Sequence, residues 1–368
     1  MPSPKQKLIY LFNWPLVITL LFLLLVGLVN LYSATASGPG DLSPFFRSQL
    51  IWTGLGLLIL MTALSFHYRR LLDWAGIFYG ICIFLLLAVL FFGTTVGGQK
   101  NWLVLGPIRL QPSELTKLGV ILMLARYYSK LPEGESRHLR SIWKPLGILG
   151  LPLLLILVER DLGSAIFFVL IGFSFFFFTG LQKRFLATGL ILMTLAGLTG
   201  YQFFLKDYQR ARIQTFLHPE QDAQGRGYHL MQSKIAVGSG QGLGKGYLKG
   251  NLNKLKFLPE RHTDFVFPVL AEEWGFLGSL IFLSAFSLFL FLLLQTAGKV
   301  GDPFGALIIV GITAWLFWQW VFNMGGVLGL VPLAGVTMPF LSYGGSALLT
   351  NLLALGLVLN VSMRRYVF

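Results

Sequence analysis

The sequence contains a single cysteine, Cys82, set in an apolar stretch. No intrachain disulfide or thiolate-based metal site can therefore form, and the residue reads as a small core hydrophobe. Charge is also scarce. Asp, Glu, Lys and Arg make up 12% of the 368 residues, against about 25% in a typical soluble domain. Hydrophobic residues make up 55%, and the mean hydropathy is +0.71. Such a chain could not cover its surface in water and must be solvated by lipid. Acidic residues are the scarcer sign, 15 against 29 basic ones, for a net charge of +14. In a soluble protein that balance would point to nucleic acid. Here much of the Lys and Arg falls in short loops between apolar runs, where it sets membrane orientation and meets anionic lipid, so no nucleic-acid partner is expected. His67, His138, His218, His229 and His262 form no His-Glu-x-x-His pattern, which argues against a His-ligated catalytic zinc. The glycine-rich run Val237 to Gly246 lacks Walker A spacing and reads as a flexible or phosphate-approaching loop.

What the sequence has is long apolar runs. A spanning helix needs about 20 mostly apolar residues. About ten are expected, near 14–34, 48–66, 74–93, 112–128, 145–160, 164–181, 185–204, 265–296, 304–325 and 345–363. The fold class is thus an all-α polytopic membrane protein forming one domain over 1–368. The first run is read as a retained helix, because its apolar length reaches the upper limit for a signal peptide. Lys5 and Lys7; Arg69 and Arg70; Arg126, Lys130, Arg137, Arg140 and Lys144; Lys183 and Arg184; Lys299; and Arg364 and Arg365 all fall on one side of a ten-span chain. That side is expected to be cytoplasmic, with both termini there. The other side holds one large extracytoplasmic loop between helices 7 and 8, about 205–264, with ten basic and five acidic residues. A short helix over Tyr228 to Val237 is expected to lie on the membrane there.

Charges within a membrane are costly and are functional candidates by default. Glu114 and Lys117, three apart, share a helix face and can pair, either as the wall of a polar site or simply to neutralise each other for insertion. Asp161 follows Glu159 and Arg160 at a break between apolar runs, where it can cap the next helix. Glu272 and Glu273 cannot both face lipid, so one is expected to bond a neighbouring helix or backbone. Asp264 stands where the long loop meets helix eight. Partial desolvation there would make its carboxylate a better base, and capping helix eight is the alternative role.

Taken together, these segments resemble the SEDS family (shape, elongation, division and sporulation), and within it the RodA branch rather than FtsW. The motifs run Gln111-Pro112-Ser113-Glu114-Leu115-Thr116-Lys117, Asp161-Leu162-Gly163-Ser164-Ala165, Tyr228 to Ser233, Phe257 to Phe265, Glu272-Glu273-Trp274-Gly275 and Pro339-Phe340-Leu341-Ser342-Tyr343-Gly344-Gly345-Ser346. Gln209 to Leu217 and the start of Phe257-Leu258-Pro259-Glu260 favour RodA. Two departures from the family pattern stand out. Glu159-Arg160 replaces a usual Gln-Pro, and Pro268 stands where Ala is common and would bend the start of helix eight. The resemblance implies a peptidoglycan glycosyltransferase of the bacterial cytoplasmic membrane, polymerising lipid II into β-1,4 glycan strands on the extracytoplasmic side during cell-wall elongation and shape maintenance. It implies Asp264 as catalytic, and Glu114, Lys117, Asp161 and Ser342 as substrate-binding positions. Arg210 and Arg212 are candidate cations for the developing pyrophosphate charge, alone or with a divalent ion such as Mg or Mn; no other cofactor and no protein-bound metal site is expected. A class B penicillin-binding protein and other elongation-complex membrane proteins are the implied partners. A lipid II flippase and a non-enzymatic scaffold of the elongation machinery are the rival readings.

Overall fold

The structure is a computed structural model that describes residues 12–36, 40–96, 98–106, 108–132, 134–189, 191, 214–222, 225–250, 262–333 and 335–365. Ten labelled helices run α1 (Trp14–Thr35), α2 (Pro44–Ala63), α3 (Arg70–Phe92), α4 (Pro112–Ser129), α5 (Trp143–Val158), α6 (Leu162–Phe178), α7 (Arg226–Ser239), α8 (Val266–Gly298), α9 (Pro303–Leu328) and α10 (Gly345–Met363). Seven helical stretches among the described residues are long and apolar enough to cross a membrane, and α6 is a shorter apolar helix. Nine of the ten expected spans are seen as helices within a few residues of their expected places. The tenth, 185–204, lies mostly outside the described residues, where 183–189 are helical.

Local sequence sets the helix starts. The side chains of Asn13, Ser43 and Asp302 accept hydrogen bonds from Leu16, Phe46 and Gly305 N–H, each with proline just inside the helix. A first-turn proline loses no hydrogen bond, and its φ is already helical. Gly329 closes α9 in the left-handed region (φ 71°). The outer faces of α1, α2, α3 and α5 expose Leu25, Ile51, Phe84 and Leu154, which suits lipid rather than water. The interior is rich in aromatic side chains: Phe168, Phe175, Phe286, Phe289 and Trp315 are fully buried. Helices in lipid gain little from burying apolar surface against one another, so close packing carries association. Gly27 of α1 is one such contact, since a Cβ there would strike the carbonyl of Phe340.

Two elements were not read from the sequence. Residues 94–110 form a three-stranded antiparallel sheet, β1 (Thr94–Val96), β2 (Gln99–Leu105) and β3 (Ile108–Leu110), a small β addition to the expected all-α class. The bend in helix eight is not at Pro268, which sits in its first turn where proline is tolerated. It is at Gly275, with φ 64° and ψ −161° inside α8. The glycine-rich run fills this break. Phe276 and Leu277 N–H donate to Gln241 and Gly242 O at 2.8 and 3.1 Å, and Lys245 and Gly246 N–H donate to Glu272 and Glu273 O, both at 3.0 Å. A Cβ at Gly240 or Gly244 would strike the carbonyls of Ala271 or Glu273, so the glycines permit backbone to lie on backbone. The run therefore docks a broken helix and is not the flexible or phosphate-approaching loop expected. The helix expected near 228–237 is α7, and it packs on the bundle: Leu230 and Ala236 are buried, and Ser233 Oγ donates to Val327 O at 2.8 Å.

The basic loops gather at one end of the bundle. Tyr68 Oη donates to Asp302 Oδ2 at 3.0 Å, and Arg69 lies 3.7 Å from Asp302 Oδ1. Arg364 donates to Leu64 O, Asn13 Nδ2 to Thr296 Oγ1, and Ser136 Oγ to Thr179 O. Burial pushes the Tyr68 hydroxyl up to about 12, with the Asp302 charge adding to the shift. The motif residues lie at the opposite end.

Candidate active site

Asp161 is the most fully bonded candidate. It is the N-cap of α6, and its Oδ1 accepts from Ser164 N–H at 3.0 Å. Its Oδ2 accepts from Asn101 Nδ2 and Ser164 Oγ, both at 2.8 Å, and from Gln111 Nε2 at 3.2 Å. Asn101 comes from β2 and Gln111 from the residue before α4, so the unforeseen hairpin and the Gln-Pro-Ser-Glu motif both converge on this carboxylate. Capping and assembly of the site coexist in one side chain.

Glu114 and Lys117 sit one turn apart in the first turns of α4, both buried, with Lys117 Nζ 2.7 Å from Glu114 Oε1. Lys117 Nζ also lies 5.1 Å from the Phe167 ring centre and 5.0 Å from that of Trp315, within cation–π range. Among the described residues Glu114 Oε2 is buried without a hydrogen-bond partner. A buried pair with one unsatisfied oxygen favours a polar site wall over self-neutralisation alone, because an orphaned acceptor costs about 1–3 kcal/mol.

Asp264 is half-buried on the turn 262–265 that leads into α8. The N-cap residue of α8 is Phe265, whose side chain makes no cap bond, and Asp264 stands one residue before it. The turn is held by its backbone. Asn323 Nδ2, from α9, donates to Asp264 O at 3.1 Å and to Val336 O at 2.7 Å. Ser342 Oγ donates to Thr263 O at 2.6 Å and accepts from Met338 N–H at 2.8 Å, and Tyr343 N–H donates to His262 O at 2.8 Å. Ser342 was expected to meet substrate; it is buried, and its hydroxyl is engaged in bracing the Asp264 turn.

The loop Pro339 to Ser346 joins the two halves of the site. At one end Ser342 and Tyr343 hold the Asp264 turn. At the other, Ser346 Oγ donates to Arg109 O at 2.9 Å and accepts from Gln111 N–H at 3.2 Å. Gln49 of α2 clamps the middle, with Nε2 donating to Ser342 O and Oε1 accepting from Gly344 N–H, both at 3.3 Å. Phe340 takes a left-handed conformation here (φ 65°), a strain that surrounding packing must maintain. Helix α9 spans both halves as well: Trp315 meets Lys117 and Asn323 meets the Asp264 backbone, eight residues or about 12 Å apart along the axis.

The remaining acidic residues are structural braces. Glu272 Oε1 is 2.6 Å from Lys245 Nζ, and Glu273 Oε1 accepts from Ser33 Oγ at 2.5 Å. Both lock the broken α8 to its neighbours, as the sequence suggested for at least one of them. Glu159 differs. It is 1% exposed, and neither carboxylate oxygen has a hydrogen-bond partner among the described residues. Burial, and then the Asp161 charge, raise its pKa to about 8. Arg160 beside it is left-handed (φ 66°), in the dipeptide that departs from the family pattern. Arg210 and Arg212 lie outside the described residues.

Several site residues carried no assignment from the sequence. Asn101 and Arg109 sit in a segment of short β-prone runs, and the Gly97-Gly98 and Gly106-Pro107 turns between them were the available signal. Gln49 and Asn323 are amides within apolar helices, and only their partners reveal them.

A multi-pass helical membrane protein with buried charges gathered at one end, opposite its basic loops, is the class the fold and site define. The chain belongs to the cell cycle protein family of FtsW, RodA and SpoVE, which matches residues 14–367. It is 38% identical over 349 residues to the peptidoglycan glycosyltransferase MrdB of Escherichia coli K12, covering 94% of this chain and 93% of that protein. It is 36% identical over 356 residues to the stage V sporulation protein E of Bacillus subtilis, covering 94% and 96%. Among solved structures, a chain from work on the structural coordination of polymerization and crosslinking by a peptidoglycan synthase complex superposes with a TM-score of 0.85 at 34% identity, covering 97% of this chain and 99% of that one. The rod shape determining protein RodA of Thermus thermophilus superposes with a TM-score of 0.72 at 31% identity, covering 96% and 98%.

Proposed function

We propose that this chain is a peptidoglycan glycosyltransferase that polymerises lipid II, with Asp264 as general base. The relatives named for that activity align over nearly their whole length. The observation that carries the reading is the Pro339 to Ser346 loop, which ties the Asp264 turn to the Gln111–Asp161–Glu114 cluster. In the reaction, the acceptor sugar's 4-hydroxyl oxygen attacks the anomeric carbon of the donor, and its proton passes to the Asp264 carboxylate. The bond from that carbon to the pyrophosphate oxygen breaks, and inversion gives a β linkage. Pyrophosphate is a good leaving group, so no paired acid is needed as in glycoside hydrolysis. Lys117, with Arg210 and Arg212 from the long loop, supplies positive charge as the pyrophosphate departs. Ser342 acts as a brace that fixes the Asp264 turn, rather than as a substrate contact. Among the described residues no three His, Cys, Asp or Glu side chains gather to hold a metal. An Mg or Mn ion arriving with the pyrophosphate needs only one or two carboxylates.

In this reading the basic end is cytoplasmic, both termini lie there, and the site faces the outer leaflet, following the positive-inside rule. A class B penicillin-binding protein supplies cross-linking alongside this chain. One observation favours the flippase rival: α8 is broken at Gly275, as transporter helices often are. In transporters such breaks line the substrate path, whereas here the chain's own glycine run fills the break. Purified protein in liposomes, given lipid II, separates the readings. Glycan polymer on a gel without lipid translocation supports the polymerase. Translocation without polymer overturns it.

A further inference from the structure

At the end of the bundle away from the candidate active site, a cavity of about 550 Å³ opens between α4 and α5. Three of its lining side chains are cationic: Arg126 in the last turn of α4, Lys130 at its C-cap, and Lys144 in the first turn of α5. Met123, Leu131 and Ile148 give it an apolar floor, and Tyr127 adds a hydroxyl. Among the described residues no carboxylate lines it; Glu135, on the following loop, stands outside the lining, though its charge reaches Tyr127. Among the described residues none of the three cations is in an ion pair. Three cations brought together outnumber the one nearby carboxylate and repel one another, so the arrangement favours an anion. Placement says what kind. The cavity lies at the helix ends where the basic loops gather, with Trp143 and Leu146 exposed beside it, the aromatic and aliphatic side chains expected at a headgroup boundary.

We propose that this cavity binds the phosphate headgroup of an anionic phospholipid, with the glycerol and upper acyl carbons resting on Met123, Leu131 and Ile148. Basic pockets between membrane helices commonly hold such headgroups. The site is separate from the polymerisation site and does not depend on that reading. A soluble phosphate would meet the same cations but gain nothing from the apolar floor.

The test uses the full chain in detergent, titrated with phosphatidylglycerol, phosphatidylcholine or inorganic phosphate. Bound lipid is counted by native mass spectrometry and thermal unfolding is followed in parallel. Phosphatidylglycerol is expected to bind and raise the Tm, while phosphatidylcholine and inorganic phosphate do neither at matched concentration. Each of Arg126→Gln, Lys130→Gln and Lys144→Gln is expected to weaken phosphatidylglycerol binding about fivefold, and the triple variant roughly 10²-fold. Lys130→Arg should retain binding. Lys183→Gln, a basic residue near the same end but outside the cavity, should be without effect. The single variants keep the test decisive if the triple variant does not fold. Equal binding of phosphatidylcholine, full effect from inorganic phosphate alone, or undiminished binding by the single variants would each overturn the proposal.

Discussion

Replacing Glu159 by Gln should remove the alkaline sensitivity that this side chain gives the fold. The side chain is 1% exposed, both its oxygens lack hydrogen-bond partners among the described residues, and its pKa rises from 4.5 to about 8. Below about pH 4.5 the carboxyl is protonated whether the chain is folded or not. Between there and about pH 8 the unfolded chain releases the proton while the folded chain holds it, so stability falls as pH rises. Above about pH 8 the folded state carries a buried charge beside Asp161, and the loss levels off. At about 1.4 kcal/mol per pKa unit, the gap corresponds to a few kcal/mol at full extent. Glutamine keeps the shape and never ionises. Thermal unfolding of the purified protein from pH 5 to 9, followed by tryptophan fluorescence, should show the wild type losing Tm relative to Glu159→Gln as pH climbs. The variant should be the more stable of the two at pH 9. Parallel profiles across that range would refute the reasoning, because they would mean the carboxyl is solvated or paired.

Three further outcomes follow from the same geometry. Lys117→Met leaves Glu114 as an uncompensated buried charge and should cost about 3–5 kcal/mol, most of it recovered in the double variant with Glu114→Gln; paired unfolding curves check this. Gly275→Ala places a Cβ against Gly244 N in a left-handed backbone and should cost about 1–3 kcal/mol or more, read as a lowered Tm. Ser342→Ala removes the bonds to Thr263 O and Met338 N–H and should cost about 1–3 kcal/mol while slowing polymerisation at saturating lipid II, measured by comparing kcat with KM.

The spanning helices were legible because lipid imposes a simple rule on composition and length. Their starts at Asn13, Ser43 and Asp302, before first-turn prolines, are set by caps that an apolar-run reading does not use, and α2 accordingly begins at Pro44 rather than at the expected 48. Glu114, Lys117 and Asp161 were legible because charge is rare in such helices. The hairpin over 94–110 was not, since its strands are three to seven residues long and an apolar-run reading passes over them. The break in α8 escaped for a different reason. Proline announces a bend locally, but at Gly275 the run Gly240 to Gly246 packs into the break, through hydrogen bonds that span 27 to 35 residues of chain. Ser342 illustrates the limit at the site itself: its motif marked it as important, and only its partners Thr263 and Met338 showed that it braces the turn.

The central claim is that the Asp264 carboxylate takes a proton during glycan polymerisation. Purified wild type, Asp264→Asn and Asp264→Ala should be compared for polymer formed from lipid II, with matched unfolding curves to establish intact folds. The account predicts a loss of roughly 10²–10⁴-fold in both variants, the range for a removed general base. Near wild-type turnover by a folded Asp264→Asn protein would contradict it.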